Sequence, residues 1–144
     1  MSDTLEAAPE AAAQVPVKGG LVTYLNVDGA KAAAEFYVKA FGAEIASIIP
    51  PDEQGRTMHA HVYINGGSLM LSDFYPEHGF EKVAPQAFSV MIMIPDDDIQ
   101  GWWKRAIDAG CTGKVEPQVM FWGDTYGELV DPYGVTWAMN QPKR

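Results

Sequence analysis

An internal repeat is the feature of this sequence that most limits how the chain can fold. Two helix-like segments match at an offset of 66 residues (102 − 36), and two turn-rich segments match at an offset of 68 (123 − 55). The first match pairs Phe36, Tyr37, Lys39, Ala40 and Phe41 with Trp102, Trp103, Arg105, Ala106 and Ile107. The second match pairs Gly55, Thr57, Val62 and Gly66 with Gly123, Thr125, Val130 and Gly134. Because both matches have nearly the same spacing, duplication of one structural module is the simplest explanation.

Hydrophobic periodicity gives each copy of the repeat the order β, α, β, β, β. In the first copy it predicts a helix over 29–41 that is ended by Gly42. The extended segments of that copy are predicted over 21–27, 44–49, 57–64 and 68–73. The predicted fold class is therefore α+β, with two βαβββ modules over about 21–74 and 88–140.

The second copy begins with a predicted strand over 88–94. Asp96 to Asp98 follow it, where a helix N-cap and first turn favour acidic residues. The helix is predicted to end at Gly110, and three further extended segments complete the chain.

Length and composition indicate one globular domain preceded by a tail. A chain of 144 residues with 47% hydrophobic composition suits a single core, which we place over 19–144. Residues 1–18 are rich in Ala, Glu and Pro and offer little apolar surface to bury. We predict that this segment is a flexible tail, because burial cannot repay the entropy of ordering it.

Charge and cysteine content exclude several classes of partner and compartment. A formal net charge of −9 argues against binding to nucleic acid or to an anionic membrane surface. No apolar run approaches the roughly 20 residues that span a bilayer, and no secretory leader is recognised. The single cysteine, Cys111, cannot form an internal disulfide. We therefore expect a cytoplasmic protein.

Alternation along the 57–64 segment divides its side chains between two faces. Met58, Ala60, Val62 and Ile64 form an apolar set that is predicted to pack under the helices. His59, His61 and Tyr63 form a polar set on the other face. Across the turn at 65–67, the same face is predicted to carry Ser68, Met70 and Ser72. This face is expected to line whatever the sheet encloses.

The second hairpin contains a tight-turn signal, Asp131-Pro132-Tyr133-Gly134. A four-residue turn predicts an inner face made of Thr125, Gly127, Leu129, Thr136, Ala138 and Asn140. Trp137 and Met139 are then predicted to pack against the helices as core residues.

Three long segments carry a resemblance to a known family. They are YLNVDGAKAAAEFYVKAFGAE (24–44), GRTMHAHVYINGGSLMLSD (55–73) and FWGDTYGELVDPYGVTWAMN (121–140). Together they resemble the vicinal oxygen chelate superfamily, which includes glyoxalase, bleomycin-resistance, fosfomycin-resistance and extradiol dioxygenase proteins. Within it the chain is most similar to the PhnB-like group. The resemblance implies a curled mixed sheet around a cavity, and commonly a homodimer.

Metal-dependent members of this superfamily hold one divalent ion with four inner-face ligands. The matching positions here are about Val22, Met70, Ser89 and Ala138, which lack competent ligands apart from a poor hydroxyl. We therefore predict that the standard metal site is absent and that no cofactor is bound. An alternative is one divalent metal held through His59 and His61, with Asp73 or Glu128 completing the coordination sphere.

Two main functions remain open. In the first, the protein binds a small, partly aromatic molecule, with Tyr24, Tyr63, Phe74, Trp122 and Tyr126 offering stacking surface. The full set of predicted ligand-binding residues is His59, His61, Tyr63, Tyr24, Asn26, Met70, Ser72, Trp122, Tyr126 and Glu128. In the second, it is a metal-dependent lyase, isomerase or dioxygenase, or uses His59, His61 or Glu128 as acids and bases. A structural or regulatory dimer with a vestigial cavity is a third reading, and Trp102 and Trp103 are candidates for core or dimer contacts.

Overall fold

The computed structural model describes residues 15–144, which form two four-stranded mixed sheets and two α-helices. The first sheet contains β1 (Thr23–Asn26), β2 (Glu44–Ile48), β3 (Ala60–Ile64) and β4 (Gly67–Ser72), with α1 (Ala30–Phe41) between β1 and β2. The second contains β5 (Val90–Met93), β6 (Thr112–Val119), β7 (Thr125–Val130) and β8 (Thr136–Gln141), with α2 (Ile99–Ala109) between β5 and β6. Most of the predicted tail, residues 1–14, lies outside the described residues.

Both sheets have the same topology. The strand orders are β1-β4-β3-β2 and β5-β8-β7-β6, and in each sheet the first strand pairs in parallel with the last. The other neighbouring strands are antiparallel. This confirms the predicted α+β fold with two βαβββ modules, and the shared strand order supports the duplication inferred from the repeat.

The packing units do not coincide with the sequence modules. One compact unit contains residues 15–35 and 43–82 of the described chain, and the other contains 36–42 and 83–144. The division therefore falls inside α1, whose carboxyl-terminal half packs with the second unit.

The start of each helix is capped by a residue at the end of the last strand of its own module, or directly after it. In the first module the Asp73 carboxylate accepts hydrogen bonds from Gly29 N (2.7 Å) and Ala30 N (3.1 Å), at the start of α1. In the second, Gln141 Oε1 accepts from Ile99 N (2.9 Å), at the start of α2. These caps are separated by 68 residues (141 − 73), the same spacing as the sequence repeat. The predicted N-cap region is also confirmed, since Asp98 accepts from Gly101 N at 3.0 Å.

The core of the first unit confirms the predicted alternation along β3. Ala60, Val62 and Ile64 are all buried. The placement of Met58 in this set is wrong, because β3 begins only at Ala60 and the Met58 side chain is 56% exposed. Thr57 is the fully buried residue instead, and its backbone carbonyl accepts from Asp73 N at 2.9 Å.

An aromatic cluster forms the core of the second unit. The Trp137 ring centroid lies 5.1 Å from that of Tyr37 and 4.4 Å from that of Phe41. Trp137 and Met139 are both buried, as predicted. Exclusion of these large side chains from water is the main contribution of this cluster to the free energy of unfolding, because burial of one aromatic side chain contributes roughly 1.5–3 kcal/mol.

The predicted inner face of the second hairpin is half wrong. Pairing of Val130 with Thr136 leaves five residues in the loop rather than four. This difference of one residue reverses which β7 side chains share a face with which β8 side chains. Thr125, Gly127 and Leu129 therefore share the face of Trp137 and Met139. Thr136, Ala138 and Asn140 lie on the other face, opposite Val130, Glu128 and Tyr126.

A buried carboxylate holds the loop of this hairpin. Asp131 is only 4% exposed and accepts hydrogen bonds from Tyr37 Oη (2.6 Å), Trp137 Nε1 (2.9 Å), Tyr133 N (2.8 Å) and Val135 N (3.0 Å). Burial and this carboxylate raise the pKa of Tyr37 well above its usual range, so its hydroxyl remains a donor. Four donors satisfy the buried charge without a cation.

Neither helix in the described part of the chain combines the length and apolar character needed to cross a membrane.

Candidate functional site

The strand register places one set of polar side chains on the same face of the first sheet. His61 lies opposite Met70, and Tyr63 lies opposite Ser68, across the β3–β4 pair. In the parallel pair, Met70 is the partner of Tyr24. Asn26 is likewise the partner of Ser72. The predicted grouping of Ser68, Met70 and Ser72 with the histidine face is therefore confirmed.

Short side-chain contacts connect neighbouring strands on this face. Tyr24 Oη lies 3.2 Å from His59 Nδ1, and Asn26 Nδ2 donates to Ser72 Oγ at 2.8 Å. His61 Nε2 lies 2.7 Å from Ser68 Oγ. These bonds fix the side chains in place, so the face is organised before a ligand arrives.

Residues 15–18 cover one end of this face. Tyr63 Oη donates to the Pro16 carbonyl at 2.6 Å, and Lys18 Nζ lies 3.9 Å from the centroid of the Tyr63 ring. The Lys18 backbone also exchanges two hydrogen bonds with Ser68, at 2.8 and 3.0 Å. His61 is consequently only 3% exposed.

The other end of the face opens into a cavity of about 510 Å³. Its lining residues are Tyr24, Asn26, Met58, Ser72, Asp73, Tyr75, His78 and Phe80. Three of the predicted ligand-binding residues, Tyr24, Asn26 and Ser72, are among them. His61, Tyr63 and Met70 are on the same face of the sheet, and His59 contacts that face through Tyr24, but none of the four lines this cavity. The volume lies within the range typical of small-molecule pockets.

A loop that the sequence left unassigned supplies the outer wall of the cavity. Tyr75 and Phe80 pair as an isolated β-bridge around a 3₁₀ turn, Pro76–His78. Arg56 anchors this loop: its guanidinium lies 4.4 Å from the Tyr75 ring centroid and 2.8 Å from the Glu77 carboxylate. Tyr75 and Phe80 were not predicted as site residues; the signal that could have identified them is the presence of aromatic residues in the segment between the predicted strands 68–73 and 88–94. Phe74, which was assigned to stacking, is buried and lies outside the lining, whereas its neighbour Tyr75 is part of it.

The described lining of the cavity contains no lysine or arginine. Asp73, the one acidic residue, accepts from three backbone N–H groups, those of Gly29, Ala30 and Thr57. The cavity therefore offers aromatic surface and neutral hydrogen-bonding groups.

Burial lowers the pKa of both histidines near the site. For His59 the cause is desolvation, and for His61 desolvation is reinforced by the nearby His59. Both folded-state values lie below the unfolded value of about 6.5. The neutral imidazole is therefore the form present at neutral pH.

This shift predicts a pH dependence of stability. Below pH about 6.5 these two histidines bind protons more readily in the unfolded chain than in the folded one. The free energy of unfolding should therefore fall as the pH decreases, until the pH is below the pKa values of the folded state. Above pH about 6.5 both histidines are neutral in the folded and in the unfolded chain, so they cause no loss of stability there. Urea unfolding at a series of pH values measures the loss. A His59→Asn, His61→Asn variant should lose less stability over the window, while His78→Asn is the matched control. Identical pH profiles for the double variant and the parent would contradict the assignment.

The predicted residues of the second unit form their own contact group. Tyr126 Oη donates to Glu128 Oε2 at 2.9 Å, and the Trp122 and Tyr126 ring centroids are 5.9 Å apart. Burial, reinforced by this hydrogen bond, raises the pKa of Tyr126. Lys114 Nζ lies 3.7 Å from Glu128 Oε1. Tyr126 and Glu128 share the face that carries Asn140 and Ala138.

The strand order and register give the place of each predicted metal-ligand position within its own sheet. Met70 is the β4 partner of Tyr24, and Ala138 is the corresponding β8 partner of Met91. Val22 and Ser89 each directly precede the first strand of a module. A thioether, a hydroxyl and two aliphatic side chains do not fit a divalent ion.

For the alternative metal site, residues 15–144 contain no group of three or more His, Cys, Asp or Glu side chains placed to hold an ion. The carboxylate of Asp73 is directed to the start of α1, where its oxygens accept the hydrogen bonds of the helix cap.

Comparison with protein families assigns the chain. The model of the Glyoxalase/Bleomycin resistance protein/Dioxygenase superfamily matches residues 20–139. The chain belongs to this superfamily. The superfamily resemblance seen in the sequence is thereby confirmed, over nearly the whole of the described chain.

One curated relative and two solved structures illustrate what the chain is similar to. An uncharacterized protein of Mycobacterium bovis, Mb0911c, is 36% identical over 135 residues, covering 90% of this chain and 88% of that protein. The crystal structure of PA1353 from Pseudomonas aeruginosa matches with a TM-score of 0.70 and 21% identity, covering 86% of this chain and 98% of that one. A Bacillus cereus structure described as a putative 3-demethylubiquinone-9 3-methyltransferase, PhnB protein, matches with a TM-score of 0.66 and 25% identity, covering 86% of this chain and all of that one (100%). PhnB-like proteins are therefore among its structural neighbours.

Proposed function

We propose that this superfamily member binds a small, partly aromatic molecule in the cavity of its first unit, without a divalent ion at the standard four-ligand position. The observation that carries the proposal is the composition of the cavity. Aromatic rings from Tyr24, Tyr75 and Phe80 surround a fixed polar pair, Asn26 and Ser72. Apolar walls with a few oriented polar groups are typical of small-molecule sites.

The exposure of three large side chains in the cavity lining supports the same function. Tyr24 is 50% exposed, Met58 is 56% exposed and Phe80 is 59% exposed, although each is large and apolar. A ligand seated in the cavity would remove these surfaces from water, and that burial would favour binding.

The test is a ligand screen followed by substitution of the cavity wall. Uncharged aromatic fragments should bind to the purified full chain and shift the NMR signals of Tyr24 and Asn26. Tyr24→Ala and Phe80→Ala should weaken binding about tenfold each, because an aromatic contact contributes about 0.5–1.5 kcal/mol beyond its buried area. Stability should change little, since both side chains are half exposed.

Leu21→Ala is the matched control for this test, because Leu21 is 95% exposed and does not line the cavity. Fragments that bind equally well to the parent and to the Tyr24→Ala and Phe80→Ala variants would place the ligand elsewhere. His59→Ala and His61→Ala are also expected to weaken binding, through loss of the Tyr24 and Ser68 contacts that order the face.

The second candidate function is a metal-dependent lyase, isomerase or dioxygenase. The neutral imidazoles of His59 and His61 favour it, because an unprotonated ring nitrogen is the form that ligates metals. Elemental analysis of the purified protein separates the two functions. One metal ion per chain, lost in a His59→Ala, His61→Ala variant, would favour the enzyme with a relocated site. A substoichiometric content is the result expected from the binding function.

We also propose that the protein is a homodimer. The second unit carries large apolar side chains at its surface, including Met91 (49% exposed), Val119 (74%), Phe121 (98%) and Trp122 (45%). Apolar surface of this kind is typical of protein interfaces. Sedimentation at micromolar concentration should show a species of twice the chain mass, and a single 15.7 kDa species would contradict the dimer.

We propose a reducing, cytoplasmic location because the single cysteine of the sequence, Cys111, cannot form an internal disulfide. Its thiol is buried, and burial raises its pKa to about 12, so the nucleophilic thiolate is scarce at neutral pH. The side chain is thus suited to neither disulfide exchange nor nucleophilic catalysis. Fractionation of cells that express the protein would test the location.

A further inference from the structure

A second groove lies within the other packing unit, between the carboxyl-terminal half of α1 and α2. Its volume is about 510 Å³. It is lined by Lys39, Gly101, Lys104, Arg105, Asp108 and Ala109. Three of its six lining residues are cationic, although the whole chain has only 10 basic residues against 19 acidic ones.

The guanidinium of Arg105 is held in position from three sides. Its Nε donates to the carbonyl of Ala40 at 3.2 Å, and its central carbon lies 4.5 Å from the centroid of the Trp102 ring. The indole of Trp102 is itself fixed by Asp96, which accepts from Nε1 at 3.1 Å. On the third side the guanidinium packs on Gly42, where an added Cβ would lie 3.0 Å from Nη1. The side chain is therefore ordered before any ligand is present.

No carboxylate of the described residues forms an ion pair with this ordered guanidinium. Among the ion pairs formed by residues 15–144, none includes Arg105 or Lys39. Lys104 does form a pair, with Asp108 at 2.6 Å, so the groove has three cations and one carboxylate. The described part of the chain has many acidic residues, yet this fixed arginine and the neighbouring Lys39 form no ion pair within it, which leaves both cations available to an anionic ligand.

We propose that this groove binds a compact phosphate-class anion carrying two or more negative charges. The planar fork of Arg105 matches two oxygens of such a group, and the ammonium groups of Lys39 and Lys104 supply point charges that need no fixed direction. Three cations offset by one carboxylate leave a surplus of two positive charges, which suits a dianion. The site is separate from the cavity of the proposed function and does not depend on it.

Inorganic pyrophosphate is the probe for the test. Titration into the full-length protein at low ionic strength, followed by NMR, should give saturable shifts of the Gly101, Ala109 and Trp102 signals. Arg105→Lys keeps the charge but removes the fork, and should weaken binding about tenfold, the effect of losing one charge-assisted hydrogen bond. Lys39→Gln should weaken binding several-fold without affecting the fold, because Lys39 is exposed.

Lys31→Gln is the matched control, since it makes the same charge change on an exposed position of α1 outside the groove. It should leave the affinity within twofold of the parent. Shifts that do not saturate at millimolar pyrophosphate would overturn the proposal. An equal loss of affinity in the Lys31→Gln and Lys39→Gln variants would also overturn it, because only the net charge would then matter. Citrate binding as tightly as pyrophosphate would refute the phosphate assignment.

Discussion

Replacing Asp131 with alanine should lower the free energy of unfolding by about 3–5 kcal/mol. Four donors converge on this buried carboxylate: Tyr37 Oη, Trp137 Nε1, Tyr133 N and Val135 N. Alanine leaves all four without an acceptor, and each unsatisfied buried donor costs about 1–3 kcal/mol. Removal of the buried charge offsets part of this sum, which is why the net loss should be smaller than four separate penalties.

Urea unfolding followed by far-UV circular dichroism measures the effect. Asp108→Ala is the control, because Asp108 is an exposed partner of Lys104 and such pairs contribute about 0–1 kcal/mol. The loss of stability in Asp131→Asn should lie between those of Asp131→Ala and Asp108→Ala, because the asparagine amide keeps one acceptor oxygen but directs an NH₂ group toward the donors. A loss below about 1 kcal/mol in Asp131→Ala would show that water or rearrangement satisfies the four donors.

The second large effect is expected from Asp73→Ala, at about 2–4 kcal/mol. Asp73 is 5% exposed and holds Gly29 N, Ala30 N and Thr57 N at 2.7, 3.1 and 2.7 Å. The substitution therefore removes the cap of α1 and the connection between the helix start and the segment before β3. Because Asp73 also lines the ligand cavity, binding of aromatic fragments should weaken together with stability.

Asp98→Ala provides a graded comparison. Asp98 caps α2 through one exposed hydrogen bond, to Gly101 N, so its loss should cost only about 1 kcal/mol. Hydrogen exchange of the Gly29, Ala30 and Thr57 amides should accelerate in Asp73→Ala and remain unchanged in Asp98→Ala. Equal stabilities of the two variants, with protection of those amides retained, would contradict the role assigned to Asp73.

Much of the first unit could be predicted because its signals are local. The two-residue turn at Asn65 and Gly66 fixes the register of β3 and β4, and parity then determines which side chains share a face. The same reasoning gave the wrong inner face for Leu129 in the second hairpin. There the DPYG signal identified the turn correctly, but the loop has one residue more than the signal contains. No local pattern distinguishes a four-residue loop from a five-residue loop.

The candidate site was predictable only in part, for a different reason. Alternation across the first hairpin placed Ser72 on the face that lines the cavity, and Tyr24 and Asn26 were among the predicted ligand-binding residues. The outer wall depends on the ion pair of Arg56 with Glu77, 21 residues further along the chain. The contact that covers Tyr63 joins it to Pro16, a residue 47 positions earlier in the chain. Such pairings follow from tertiary packing, which the periodicity of a single strand does not encode.

The division of α1 between the two packing units has a consequence for the order in which the protein can be made. On the ribosome Tyr37 is synthesised early, but its partner Asp131 follows 94 residues later. The second unit therefore cannot close until the chain has been synthesised at least to Asp131, although the half of α1 that belongs to this unit is made much earlier. Assembly that requires so long a loop is slow compared with local folding. Expressing the two repeats from separate genes would give a second half that lacks Tyr37 and Phe41. The aromatic core of that half could then form only if the first half were supplied in trans.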